Sequence, residues 1–395
     1  MKAREVVVID GIRTAFGRAG EKGYFWHTRA DDMVVKVIRA LLRRNPEVRP
    51  EMVEENVWGA FTQEGDQGLT LGRSSVILSG LPDSCAGFSV DRLCAGGMTA
   101  ITAAASEIAL GACDVAIAGG VEHMGHHPIL AKADPNPRFL TERLVSEDAL
   151  SMGRTAENLH DMYPEITREM ADRYALLSQM KTAAAYREGK IQKMIAPMTV
   201  YTTEGWIVAD RDQQPRPETT VDALAKLKAP FRVEGKVTPG NSSGLNDGAA
   251  GILLMSEDKA AEIGLVPRMR LKGYAYLGVR PEIMGYGPVP ATRKALEKTG
   301  LSIDDIGAIE INEAFAVQCL IFMKEFGLKL PDDDRVNKLG GAIAVGHPLA
   351  ASGARLVMHL LNIFSERPDI RYGITTLCVG LGQGATAIWE NVNRE

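Results

Sequence analysis

With 395 residues, 45% hydrophobic and 24% charged, the chain has the make-up of a globular protein and the length for two or three domains. Its 45 basic and 50 acidic residues leave a net charge of -5, which excludes a broad nucleic-acid footprint, so an anionic ligand must meet locally placed charge. No uninterrupted apolar run approaches the ~18 residues of a membrane span, and Met1 to Arg4 leads into a strand-like stretch rather than a leader. A cytoplasmic location is the expectation. The five cysteines, Cys85, Cys94, Cys113, Cys319 and Cys378, are odd in number and form no CxxC pair, which favours neither a disulfide framework nor a thiolate metal site.

Along the chain, Val6 to Asp10 reads as a buried β-branched strand. Asp31 to Arg44 follows with helical spacing of Met33, Val34, Val37, Ile38, Leu41 and Leu42. Strands at 56–61 and 88–91, an alanine-rich helix at 97–110 and a strand at 114–119 continue an α/β alternation. Residues 121–244 break the pattern. They hold four of the seven histidines, the proline-rich 134–137 and an amphipathic stretch at 167–187, whose apolar positions, Met170, Tyr174, Leu177, Met180 and Ala184, read as core packing. Beyond them the first plan recurs: strand 268–275, helix 291–298, strand 308–311, helix 351–364 and strand 372–379. The expected organisation is a first half at 1–120 to which 245–267 returns, an inserted substrate-side region at 121–244, and a related second half at 268–395.

Four segments carry candidate chemistry. Cys94, in Asp91-Arg92-Leu93-Cys94-Ala95-Gly96-Gly97, stands where a strand gives way to a small-residue helix, so helical N–H groups there favour a thiolate; the bland alternative is a buried small hydrophobe. His347 ends the glycine-rich run 340–348, where an imidazole can accept a thiol proton and then donate to a charged oxygen; the alternative is a loop histidine tying up backbone groups. Cys378 and Gly380, in Cys378-Val379-Gly380-Leu381-Gly382-Gln383-Gly384, offer a second thiol and backbone N–H groups at a strand end, or strand packing. Asn312, in Asn312-Glu313-Ala314-Phe315-Ala316, follows a strand and is placed to hold a water or to cap the next helix. Glu122, His123, His126 and His127 have the residue types of a zinc site, yet they follow a strand end rather than line one helix face, and no metal is expected.

Taken together, these segments resemble the thiolase superfamily over nearly the whole chain. Residues 119–126 (GGVEHMGH), 216–220 (RPETT), 283–290 (IMGYGPVP) and 380–384 (GLGQG) are similar to the bacterial 3-ketoacyl-CoA thiolases that form the β-subunit of the fatty acid oxidation complex. The resemblance implies two αβαβα halves in a five-layered body, with the insertion as a loop domain over the site. It implies a homodimer or dimer of dimers, and a multifunctional α-subunit as partner. By the same resemblance Cys94 is the nucleophile, His347 its base, Cys378 the second acid and base, Asn312 the holder of a catalytic water, and Gly380 an oxyanion donor. Arg216, Ser243, Phe315, Met152 and His123 fall on the substrate side, coenzyme A is a substrate, and no cofactor is implied. Ala95, Pro239 and Ala350 depart from the residues usual at those places. The competing activities are an acetoacetyl-CoA thiolase, a decarboxylating ketoacyl synthase, which would need a histidine at Cys378, and a silent acyl-CoA-binding scaffold.

Overall fold

The N-terminal β-branched run forms strand β1 (Val6–Arg13), buried along its whole length because the sheet is covered on both faces. The computed structural model describes residues 3–129, 131 and 133–392. In chain order the further strands are β2 (Gly17–Arg18), β3 (Glu55–Gly59), β4 (Ala86–Val90), β5 (Val115–His123), β6 (Met198–Thr202), β7 (Gly205–Ala209), β8 (Asn246–Ser256), β9 (Met269–Gly278), β10 (Ile306–Ile311), β11 (Tyr372–Val379) and β12 (Gln383–Asn391). Apart from the hairpin β6–β7, they form one mixed sheet in the order β10-β11-β12-β9-β1-β8-β5-β3-β4, with β2 beside β8.

The pairing is that of a duplicated unit. In the first half β1 lies antiparallel to β8, β8 antiparallel to β5, and β5 and β4 parallel to β3 on its two sides. In the second, β9 lies antiparallel to β12, β12 antiparallel to β11, and β11 parallel to β10. A parallel bridge from Ile309 to Val336 stands where β4 stands in the first. The halves meet edge to edge where Val7 and Val8 of β1 pair with Arg270 and Met269 of β9. Two helices, Gly96–Leu110 and Ala351–Glu366, pack on each other, and the second touches strands of both halves, so they fill the layer between the two sheet wings. Helices Ala30–Arg44 and Pro288–Thr299 pack against strands of the first and second halves respectively. The five-layered α/β architecture expected from the resemblance is therefore the one observed.

Several sequence expectations shift. The strand expected at 114–119 runs on to His123, carrying Glu122 and His123 into the sheet. Helix Ala316–Glu325 lacked a period because eight of its ten residues are buried. The segment Leu93–Leu110 is long and apolar enough by composition to cross a membrane, although Thr99, Thr102, Ser106 and Glu107 interrupt it. It packs in the centre of the body, against β3, β5 and the helix Ala351–Glu366.

Backbones in this central layer approach closely. Gly97 N–H donates to the Ala350 carbonyl at 2.9 Å, and a side chain at Gly120 would collide with that same carbonyl. Gly120→Ala should therefore push β5 away from Ala350. A loss of about 2–3 kcal/mol in a denaturant titration is expected, within the range for overpacked core positions.

Candidate active site

Cys94 belongs to a 3-10 turn, Leu93–Ala95, between β4 and the central helix. Leu93 has φ +47°, a left-handed conformation rare for a branched side chain, and its N–H is held by Asp91 Oδ1 at 2.7 Å. Arg92 stacks on the Tyr276 ring, 3.7 Å from its centroid. The turn is thereby fixed from both sides. It presents Cys94 to a cavity of about 520 Å³ whose other walls include Phe61, Ile129, Phe139, Leu150, Met152 and Leu349. Such a volume suits a small-molecule tail, and the walls are chiefly apolar.

Burial is the largest influence on the Cys94 thiol and pushes it up to about 12, opposed by the N–H of Gly380 at the sulfur and by its own N–H. Burial therefore opposes the resting thiolate that the helical N–H groups favour. His347 is buried and carried down to about 3, first by burial and then by the positive charge of Arg355. The resting pair is a neutral thiol and a neutral imidazole, so the histidine is a base with its lone pair available across the neutral pH range.

His347 is held by a glycine loop that no other residue type would form. Gly346 has φ +105°, and a side chain on it would strike the Asn246 amide. Asn246 Oδ1 accepts from His347 N–H at 3.0 Å while its Nδ2 donates to the Gly17 carbonyl at 3.0 Å. His347 Nδ1 lies 2.6 Å from Ser352 Oγ. Asn312 Nδ2 stands 3.3 and 3.4 Å from the two ring nitrogens, against the ring rather than in line with one lone pair.

Cys378 is fully packed, its thiol pushed far up by burial and then by neighbouring Cys94. Its Sγ is 3.5 Å from Gln318 Oε1, and Gln318 Nε2 donates to the Asn312 carbonyl at 2.8 Å. Gln318 thus connects the second thiol to Asn312. Glu313, next in chain, is an anchor: its carboxylate accepts from Tyr174 Oη (3.1 Å), Ser178 Oγ (2.6 Å), Asn337 Nδ2 (2.9 Å) and Ile343 N–H (3.1 Å), holding the glycine loop from below.

The structure thus brings Cys94, Gly380, Cys378, Asn312 and His347 to one place and seats Met152 in the cavity wall. Phe315 is buried and bridges to Ser242, and Ser243 N–H donates to the Ala314 carbonyl at 3.0 Å, beside Asn312. Arg216 is exposed, its backbone N–H held by Gln179 Oε1 at 2.8 Å. His123 does not line the cavity. It is fully buried, with Nε2 2.9 Å from the Phe25 carbonyl and Nδ1 accepting from His126 N–H at 3.0 Å, so both ring nitrogens are spent on the fold. Its neighbours His126 and His127 bind Asp66 at 2.8 and 2.5 Å. Among the described residues no His, Cys, Asp and Glu side chains are grouped to hold a metal ion.

Four organisers were not singled out for these roles in the sequence: Gln318, Ser352, Arg355 and Glu122. The carboxylate of Glu122 accepts from Phe61 N–H (3.0 Å), Gln67 Nε2 (2.9 Å), Thr62 N–H and Ala350 N–H (both 3.4 Å), joining the cavity wall to the histidine loop. Burial raises it to about 7, against the pull of these donors.

Comparison with known proteins agrees with this arrangement. The profile "Thiolase, N-terminal domain" matches residues 6–258 and "Thiolase, C-terminal domain" residues 265–391, and the chain belongs to the thiolase family of acyltransferases. Among its curated relatives are 3-ketoacyl-CoA thiolases of Idiomarina loihiensis, 45% identical over 98% of this chain and 100% of the relative, and of Shigella boydii, 44% identical over 98% and 100%. The crystal structure of the Bacillus anthracis acetyl-CoA acetyltransferase superposes with a TM-score of 0.88 at 38% identity, covering 99% of this chain and 100% of that one.

Because the Cys94 thiol is held at about 12, its alkylation by iodoacetamide in the free protein should quicken about tenfold per pH unit from pH 7 to 9. Peptide mass analysis of Cys94 labelling measures it. A rate already flat at pH 7 would mean a preformed thiolate–imidazolium pair.

Proposed function

We propose that this chain is a 3-ketoacyl-CoA thiolase, transferring an acyl group from a 3-ketoacyl-CoA to coenzyme A through Cys94. The observation that carries the reading is a thiol in the wall of a largely apolar cavity, with a second thiol and the Gly380 N–H beside it and a neutral imidazole reached from that second thiol through Gln318 and Asn312.

In the degradative direction, His347 takes the Cys94 proton as the sulfur attacks the substrate's 3-keto carbon. With the thiol near 12 and the imidazole near 3 in the free protein, transfer is favourable only as the new bond forms. The bond between C2 and C3 then breaks, and its electrons pass to the enolate of acetyl-CoA. The thioester oxygen takes that charge against His347 N–H and a water held by Asn312, and Cys378 gives its proton to C2. A second coenzyme A loses its thiol proton to Cys378 and attacks the acyl thioester on Cys94. The oxyanion of that step lies at the N–H groups of Cys94 and Gly380, and the departing Cys94 sulfur recovers its proton from His347. Arg216 and Ser243 are assigned to coenzyme A, Arg216 as a phosphate ligand free to reach solvent and Ser243 through its hydroxyl. Phe315 and Met152 are assigned to the substrate side.

The acetoacetyl-CoA thiolase reading is favoured by the Bacillus anthracis relative, the longer-chain reading by the cavity's apolar walls. Thiolysis rates across 3-ketoacyl-CoAs from four carbons upward decide between them, and activity confined to four carbons would discard the longer-chain reading. Cys94→Ala should lower thiolysis at least about 10⁴-fold and abolish the acyl-enzyme mass adduct formed with substrate alone; an undiminished adduct would remove Cys94 as nucleophile.

Assembly as a homodimer is supported by β4, a half-buried edge strand paired on one side only, next to the exposed Leu69, Ile77 and Leu78. Light scattering should give twice the 42.7 kDa chain mass or, for a dimer of dimers, four times it. Exposed Tyr201, Trp206 and Val208 on the β6–β7 hairpin support a contact for an α-subunit on the inserted region. Five free cysteines, two of them in the site as thiols, suit a reducing cytoplasm.

A further inference from the structure

Behind the site lies a charged cluster that the mechanism leaves unused. Arg355, Glu310 and His359 have no solvent exposure at all. Arg355 Nη1 is 4.0 Å from Glu310 Oε2, and His359 Nδ1 is 3.2 Å from that same oxygen. A buried ion pair rarely adds stability over apolar packing of the same volume, so stability alone gives no account of a guanidinium here.

Its geometry gives one. Among the described residues Arg355 Nε and Nη1 have no hydrogen-bond acceptor, and the one directed bond of the cation runs from Nη2 to Asn312 Oδ1 at 3.0 Å. A guanidinium only donates. The Asn312 atom facing it must therefore be the oxygen, and the NH2 group is turned the other way, to within 3.3 Å of His347 Nε2. Ser352, one helical turn before Arg355, addresses His347 Nδ1 at 2.6 Å. One turn of the helix Ala351–Glu366 thus reaches both the imidazole and the amide.

We infer that Arg355 is the positioning residue of the site: buried against Glu310, it locks the Asn312 side chain so that an N–H donor rather than an oxygen is turned to the water that meets the reacting enolate. This rests on the thiolase reading and goes beyond it, since Arg355 touches no substrate.

A double-mutant cycle in thiolysis tests the inference. Arg355→Lys keeps the charge and loses the fork, and should lower kcat about 10- to 100-fold with KM changed less than about twofold. In an Asn312→Ala background the same substitution should alter kcat by less than about twofold. An equal drop in both backgrounds would reduce Arg355 to a structural role and overturn the inference. Asn312→Asp tests the orientation with Arg355 intact. The carboxylate keeps an acceptor on both sides but no donor, so kcat should fall as far as in Asn312→Ala while the melting temperature holds. Asn312→Asp activity near that of the parent protein would overturn the inference even if Arg355→Lys fails to fold. A parent protein inactive on every 3-ketoacyl-CoA would instead sink the thiolase reading.

Discussion

The contact on which the site depends is between two stretches of backbone. The Ala350 carbonyl accepts from Gly97 N–H, and Gly96, Gly97 and Gly120 crowd the same short stretch with no side chain between. Through it the turn carrying Cys94 and the loop carrying His347, 253 positions apart in sequence, are held at backbone distance. A methyl group at Gly97 would lie 2.5 Å from the Ala350 oxygen, closer than atoms tolerate. Ala350 itself brings a methyl where thiolases usually have glycine, and Gly96 lies opposite, where a Cβ would be 2.9 Å away. Small residues on one side and the alanine on the other are a single packing solution, not independent choices.

From that contact the electrostatics follow. Closing the layer removes water from Cys378 and His347 and shields Cys94 on all but its cavity side, and burial is the largest influence on all three. The site at rest is uncharged in its reacting groups, while the guanidinium of Arg355 is kept behind it, 4.0 Å from a Glu310 carboxyl that burial pushes up to about 8. Charge then appears only during reaction, where donors already stand in place, and no solvent has to reorganise to meet it.

The sequence made some of this legible and not the rest, for physical reasons. Cys94, Cys378 and Asn312 lie in short stretches at strand ends and His347 in a glycine-rich loop between two helices, where chemistry and tight turns leave a local mark. Gln318, Ser352 and Arg355 lie within buried helices and act across the fold, so nothing in their immediate neighbours declares them. One signal was present: an arginine and a histidine inside Ala351 to Phe364, a helix otherwise rich in apolar residues, are rarely buried without a purpose. His123 was misplaced because its motif sits beside the site in sequence, while β5 carries it past the cavity into the sheet. The duplicated strands were legible through their β-branched runs; helix Ala316–Glu325 was not, because burial on all sides erases the period that reveals a helix.

The place of β8 has a consequence for how the chain is made. This strand lies between β1 and β5, yet the ribosome delivers it only after the 122 residues that separate it from the end of β5. Until then the nascent first half carries two open strand edges facing one another across a gap, and it cannot seal before the inserted region has emerged. Synthesis therefore imposes an order: the substrate-side excursion must be outside the tunnel before the framework beneath it can close, and during that interval the exposed edges are the places where a chaperone would be needed.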